Sequence, residues 1–208
     1  TNNYFLYFKE LLESNNCNLS YDITPQYIGL KKETLQAIYN GFKKINIRCK
    51  FILLLRDPVK RSWSLVKRHL LHKKRLQFDK HITSNIREGV DLRLNLQDAF
   101  LKYAHSEYSY FFNNYQQILE NLKCFNPEDY SVFFYENLRE DIFLPSLENF
   151  LNIKFPNSDF NKKINESTKE KISEDLMKKI APLYLKTYEY CVNKYPDALN
   201  IWSGFKYI

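Results

Sequence analysis

Glycine and proline are scarce in this chain of 208 residues, 4 and 7 respectively, and there is a single methionine. That scarcity excludes collagen-like and low-complexity architectures, which are built from those two residues. No apolar stretch approaches the roughly 20 residues that a membrane helix needs. The longest is the short run Phe51 to Leu55, and no signal-peptide pattern opens the chain, so it reads as soluble. Cys17, Cys49, Cys124 and Cys191 lie far apart, with no C-x-x-C pair and no histidine at ligand spacing, which argues against a zinc site or a small disulfide scaffold. Buried free thiols in a reducing, cytoplasmic setting are the expectation.

What is present is ample core material: 44% hydrophobic and 16% aromatic residues, with 26% charged. One domain spanning residues 1–208 is expected at this length. The net charge of +7 is confined to one place. Between Arg56 and Arg75 stand eight Lys or Arg against one acid, Asp57, while the rest of the chain balances to zero. A localised basic block points to an anionic ligand or polymer; a solvated helix face is the plain alternative for Lys67, Arg68, Lys73, Lys74 and Arg75.

Apolar spacing predicts helices over 4–14 and 32–44, the latter with Leu35, Ile38, Tyr39 and Phe42 on one face. Residues 18–22 read as a short strand that ends at Asp22, ahead of Thr24-Pro25. The continuous run in 50–55 is the best candidate for a buried parallel strand. After it, Asp57 and Pro58 are a helix cap and first helical residue, opening a helix to about residue 74. Residues 76–94 read as a loop with some helix, 108–122 as a helix, 130–135 as a strand and 136–151 as a helix interrupted at Pro145. A last helix over 173–193 is expected to bend at Pro182. Strands alternating with helices imply an α/β fold with a parallel sheet.

In such sheets anions bind beyond the carboxyl ends of the strands. Arg56 stands there, able to hold a phosphate through two parallel hydrogen bonds, and Ser64 adds a hydroxyl. The alternative is that Arg56 pairs with an acid and Ser64 only packs. His69 and His72, three apart without a zinc motif's acid, read as surface residues.

Three segments, in order, carry a resemblance. Lys50-Phe-Ile-Leu-Leu-Leu-Arg-Asp-Pro-Val-Lys-Arg-Ser-Trp-Ser64 resembles the 3'-phosphate-binding strand and helix of sulfotransferases that use 3'-phosphoadenosine 5'-phosphosulfate (PAPS). Asp22-Ile-Thr-Pro-Gln-Tyr27 resembles the acid-Lys-Ser/Thr-Pro-x-Tyr segment of the carbohydrate sulfotransferases related to the heparan sulfate enzymes. Tyr135-Glu-Asn-Leu-Arg-Glu-Asp141 resembles the family's Tyr-Glu-Asp-Leu segment. The resemblance implies a P-loop-type three-layer α/β/α domain with a central parallel sheet. It implies that PAPS is the sulfuryl donor and PAP the product, without a metal, and that the acceptor is a hydroxyl or amine, on a carbohydrate. It makes Arg56 and Ser64 ligands of the 3'-phosphate, sets Tyr135 near the adenine and Lys169 in a cofactor-covering loop, and gives Asp22 the place of the catalytic carboxylate. Lys67 and Arg68 are candidate substrate contacts on the basic face.

The chain also departs from the family pattern. Asp22 replaces the usual Glu and Ile23 the lysine after it. The Gly- and Lys-containing 5'-phosphosulfate loop has no counterpart before Asp22, the first glycine being Gly29. Together with the non-Met start this leads us to expect an N-terminally truncated domain, the alternative being an inactive one; relatives also occur as lumenal domains behind an anchor. For Asp22 a local turn before Thr-Pro, and for Tyr135 a place in the core, are the structural alternatives. A non-catalytic module that binds anionic polymers, nucleic acid or polysaccharide, through the 56–75 block is the reading from a different class. No RNA-recognition or zinc-finger signature accompanies the basic block, so nucleic acid is not an expected partner. A small-molecule kinase would need a Gly-Lys-Ser/Thr loop and Mg²⁺-binding acids that the chain does not show.

Overall fold

The computed structural model describes residues 3–14, 17–76, 86–155 and 170–208. Helix α1 (Asn3–Ser14) leads through a 3-10 turn (Pro25–Gly29) to α2 (Lys32–Lys44), strand β1 (Phe51–Leu55) and the long α3 (Pro58–Leu76). A small hairpin follows, β2 (Ile86–Arg87) with β3 (Val90–Asp91), then α4 (Leu96–Ala104), α5 (Glu107–Asn113) and α6 (Tyr115–Leu122). Strand β4 (Tyr130–Phe134), a 3-10 turn (Tyr135–Asn137) and α7 (Phe143–Leu151) come next. The chain closes with α8 (Glu174–Ile180), a 3-10 turn (Ala181–Tyr184), α9 (Leu185–Lys194), α10 (Ala198–Ile201) and a 3-10 turn (Ser203–Tyr207).

Strands β1 and β4 pair in parallel, with Phe51 opposite Tyr130 and Leu55 opposite Phe134. This is the parallel sheet that the alternation implied, and among the described residues it has two strands. Because side chains alternate across a strand, Leu53 and Leu55 enter the core while Ile52 and Leu54 stay exposed on the other face. Val59, Trp63 and Val66 of α3 are buried in the same core as Phe100 and Tyr103 of α4, the Trp63 and Phe100 rings meeting edge to face at 5.0 Å. Each fully buried side chain of this size contributes about 1.5–3 kcal/mol. The start of α3 is fixed locally: the Asp57 carboxylate accepts from the Val59 and Lys60 amides at 3.0 and 3.4 Å, and Pro58 needs no donor there.

Several expectations are corrected. Residues 18–22 form no strand; Asp22 lies in irregular chain before the Pro25–Gly29 turn. The 108–122 helix is two helices, because the Asn114 side chain caps a new one by accepting from the Gln117 amide. The 136–151 helix begins only at Phe143, and Pro145 then falls in its first turn, where its missing N–H costs nothing. The bend at Pro182 is found, as a 3-10 turn between α8 and α9. In the 76–94 region the described part is a hairpin turning at Glu88 (φ 48°) and Gly89 (φ 80°). It is anchored by buried Asp91, which holds Arg93 and Lys102 at 2.7 and 2.9 Å.

His69 is not a surface residue. It is 4% exposed, with Nε2 3.2 Å from the Glu88 carboxylate of the hairpin. The His72 side chain lies outside the described residues. All four cysteines are free, as expected, but Cys191 alone is buried; Cys49 and Cys124 are half-buried and Cys17 is exposed. No helix among the described residues is long and apolar enough to cross a membrane.

Candidate functional site

Beyond the carboxyl end of β1 opens a cleft of about 390 Å³. One wall is a face of α3 together with Arg56, two residues before it: Arg56, Lys60, Trp63, Ser64 and Lys67, at the three- and four-residue spacing that aligns side chains on a helix. The others come from Glu170, Lys171 and Ile172 ahead of α8, Met177 within it, and Ser203, Lys206 and Tyr207 of the last 3-10 turn. Among the described residues, five cations face one acid. In a concave, partly desolvated space, charges of one sign reinforce each other's field and draw in anions.

Arg56 is held on three sides. Its carbonyl accepts from the Tyr115 hydroxyl at 2.7 Å, the next amide, of Asp57, donates to Glu136 at 3.1 Å, and its guanidinium lies 4.2 Å over the Tyr135 ring. Its Nε is buried with no acceptor among the described residues, an unmet donor beside the cleft. Lys67 is only 7% exposed. Burial pushes its ammonium below the ordinary lysine value, the Glu170 carboxylate opposes that, and the Arg56 cation adds to it. The Trp63 indole N–H donates to the Glu170 carbonyl at 3.3 Å, tying the segment before α8 to α3.

The junction is organised by Asp57, which is fully buried. Besides capping α3, its Oδ1 accepts from the Tyr188 hydroxyl at 2.8 Å, while Oδ2 accepts from the Ser203 hydroxyl at 3.3 Å and the Gly204 amide at 2.9 Å. Glu136 accepts from the Trp202 indole at 3.2 Å as well as from the Asp57 amide. Its carboxyl is raised above the ordinary value, mainly by burial, with the Asp57 charge adding to the effect and the amide bonds opposing it. Gly204 is required: a Cβ there would stand 1.8 Å from the Tyr188 hydroxyl.

Asp22 stands elsewhere and does not line the cleft. Its Oδ2 accepts from Tyr27 at 2.6 Å and Tyr4 at 3.0 Å, and its Oδ1 from the Thr24 hydroxyl at 2.8 Å. These bonds, Tyr27's foremost, hold its carboxyl below the ordinary value against a smaller opposing effect of burial. Three donors leave about one acceptor position open on the carboxylate.

Of the residues singled out from sequence, the cleft unites Arg56, Ser64 and Lys67, with Tyr135 stacked on Arg56. Arg68, one residue round the helix from Lys67, is outside the cleft lining and 4.0 Å from Glu88. Lys169 lies outside the described residues. Sequence reasoning gives no site role to Lys60, Lys171 or Lys206, and it finds in Asp57 the helix cap but not the hub. Lys60 had a signal in its position four after Arg56, whereas Lys171 and Lys206 reach the cleft only through tertiary packing.

Among the described residues no group of three or more His, Cys, Asp or Glu is placed to hold a metal. No curated protein and no solved structure matches the chain. A family model does, over residues 35–187, and its description is "Sulfotransferase domain".

Proposed function

The chain belongs to the sulfotransferase domain family, whose business is sulfuryl transfer, and on that premise we propose that it takes the group from PAPS and delivers it to a hydroxyl or amine of a carbohydrate. The observation that carries the donor assignment is the buried, unmet Nε of Arg56 at the head of a cleft whose described lining holds five cations and one acid. An anion with phosphate oxygens fits such a donor set. When bound, PAPS supplies the activated sulfuryl group and PAP is what remains.

Arg56 and Ser64 hold the 3'-phosphate in this reading, the guanidinium by its planar fork and the serine by its hydroxyl. Tyr135 keeps the guanidinium in plane from below and is available to the adenine; Lys67 adds positive charge in a place where water screens it poorly. Lys169 keeps the covering role that the family resemblance implies. Asp22 accepts the proton that the acceptor gives up. Its three hydroxyl donors keep it ionised and aimed, with one lone-pair position to spare. We further propose that β1 and β4 belong to a P-loop-type three-layer sheet, supported by the exposed apolar side chains of Ile52 and Leu54 on the second face of β1.

Titration calorimetry with adenosine 3',5'-bisphosphate against 5'-AMP tests the reading. The bisphosphate is expected to bind at least about tenfold tighter, from one charge-assisted phosphate contact of about 1.5–3 kcal/mol. Arg56→Ala removes that preference, and Arg56→Lys weakens it despite keeping the charge. Equal affinity for the two nucleotides, or an Arg56→Ala protein that binds as before, refutes the assignment.

A further inference from the structure

We infer that the C-terminal 3-10 turn Ser203–Tyr207 is a phosphate-binding wall of the nucleotide site, with Lys206 as its cationic ligand and Asp57 as the latch that holds it against α3. This rests on the functional reading above and extends the site to residues beyond the span matched by the family model, which ends at residue 187.

The latch is visible atom by atom. One carboxylate fixes two walls: Oδ1 receives the first amides of α3, and Oδ2 receives Ser203 and Gly204 of the turn. The turn approaches as closely as it does because residue 204 has no side chain, its α-carbon facing the Tyr188 hydroxyl that also donates to Asp57. Ser203 lines the cleft but spends its proton on Asp57, so it belongs to the latch. Three residues on, Lys206 also lines the cleft, and it forms no ion pair with the described residues. Its charge adds to those of Arg56, Lys60 and Lys67 along one concave surface, and the summed field of the four favours an anion between them. A phosphate monoester on a nucleotide supplies that charge.

Lys206 is exposed, so its truncation leaves the core intact and makes a clean test. Calorimetry with adenosine 3',5'-bisphosphate is run on the unsubstituted protein, Lys206→Ala, Lys206→Arg and, as a control for lost charge elsewhere, Lys186→Ala on the exposed face of α9, with thermal melts alongside. Lys206→Ala is expected to bind about tenfold more weakly with an unchanged melting midpoint. Lys206→Arg is expected to restore affinity to within about threefold, and Lys186→Ala to match the unsubstituted protein. Binding by Lys206→Ala within about twofold of the unsubstituted protein, while Arg56→Ala loses it, overturns this inference and leaves the functional reading standing. No bisphosphate binding by the unsubstituted protein overturns both.

Discussion

Replacing Asp57 by Asn is the most informative single perturbation of this structure. The amide keeps one oxygen, which continues to accept from Val59, Lys60 and Tyr188; flipping it would set a donor against the Val59 and Lys60 amides. At the other position an NH₂ now faces Ser203 and Gly204. The serine hydroxyl turns and accepts, but the buried Gly204 amide, 2.9 Å from the old oxygen, is left donor against donor. An unsatisfied buried amide costs about 1–3 kcal/mol, and the bonds that remain lose their charge assistance, for a total of about 2–4 kcal/mol. The opposing effect is desolvation, since a buried carboxylate without its charge no longer has to be stripped of water. With five donors converging on it, the charge of Asp57 is well compensated, so the loss is expected to win. For a chain of this size the melting midpoint falls by about 10 °C, read by circular dichroism and checked by urea titration. Bisphosphate affinity, measured well below the new midpoint, falls with it because the turn bearing Lys206 loosens. A midpoint within about 2 °C of the unsubstituted protein, or above it, would mean that desolvation cancels the five hydrogen bonds, and the latch would not stand as a stabilising element.

Two further outcomes are expected. Asp22→Asn should lower turnover of a carbohydrate acceptor while leaving bisphosphate affinity unchanged, because Asp22 is no part of the cleft lining; turnover equal in the two proteins removes it from the chemistry. The Asp91 carboxyl is held well below the usual carboxylate range, first by its Arg93 hydrogen bond and then by Lys102. A carboxyl depressed in the folded state contributes stability above its unfolded value, about 3.9, and loses it as the pH falls below that. Asp91→Asn is therefore expected to be the less stable protein at pH 7, with the gap in urea midpoints narrowing toward pH 3; a gap that widens on acidification contradicts the ion-pair assignment.

Where local chemistry decides the structure, the sequence is legible. The five apolar residues of β1 bounded by charge, the Asp57-Pro58 start of α3 and the break at Pro182 are each settled within a few neighbouring residues. Two of the differences have long-range causes and one a local cause. Glu136 looks like a helix residue, yet its carboxylate is committed to the Asp57 amide and the Trp202 indole, and the helix waits until Phe143. His69 looks solvated until the hairpin lays Glu88 over it. The paired Asn113-Asn114 was a visible stop-and-restart signal, the first side chain turned into the core and the second capping α6. In the cleft, the α3 face follows from spacing alone, while Lys171 and Lys206 arrive from parts of the chain that no periodicity connects to Arg56.

The Asp57 latch also bears on the order in which the molecule assembles. Its bond to Gly204 joins residues 147 apart in sequence. Closing a loop of that length costs on the order of 4 kcal/mol in chain entropy, which nearby contacts between already folded helices must first offset. The contact between the turn and α3 is thus far less local than those that pack α3 on α4, and contacts of such separation are the ones that slow folding. The cations on α3 form a patch early, but Lys206 joins them only when the turn docks. The anion trap is therefore complete only in the fully docked molecule, and its affinity for anions is tied to the integrity of a contact spanning most of the chain.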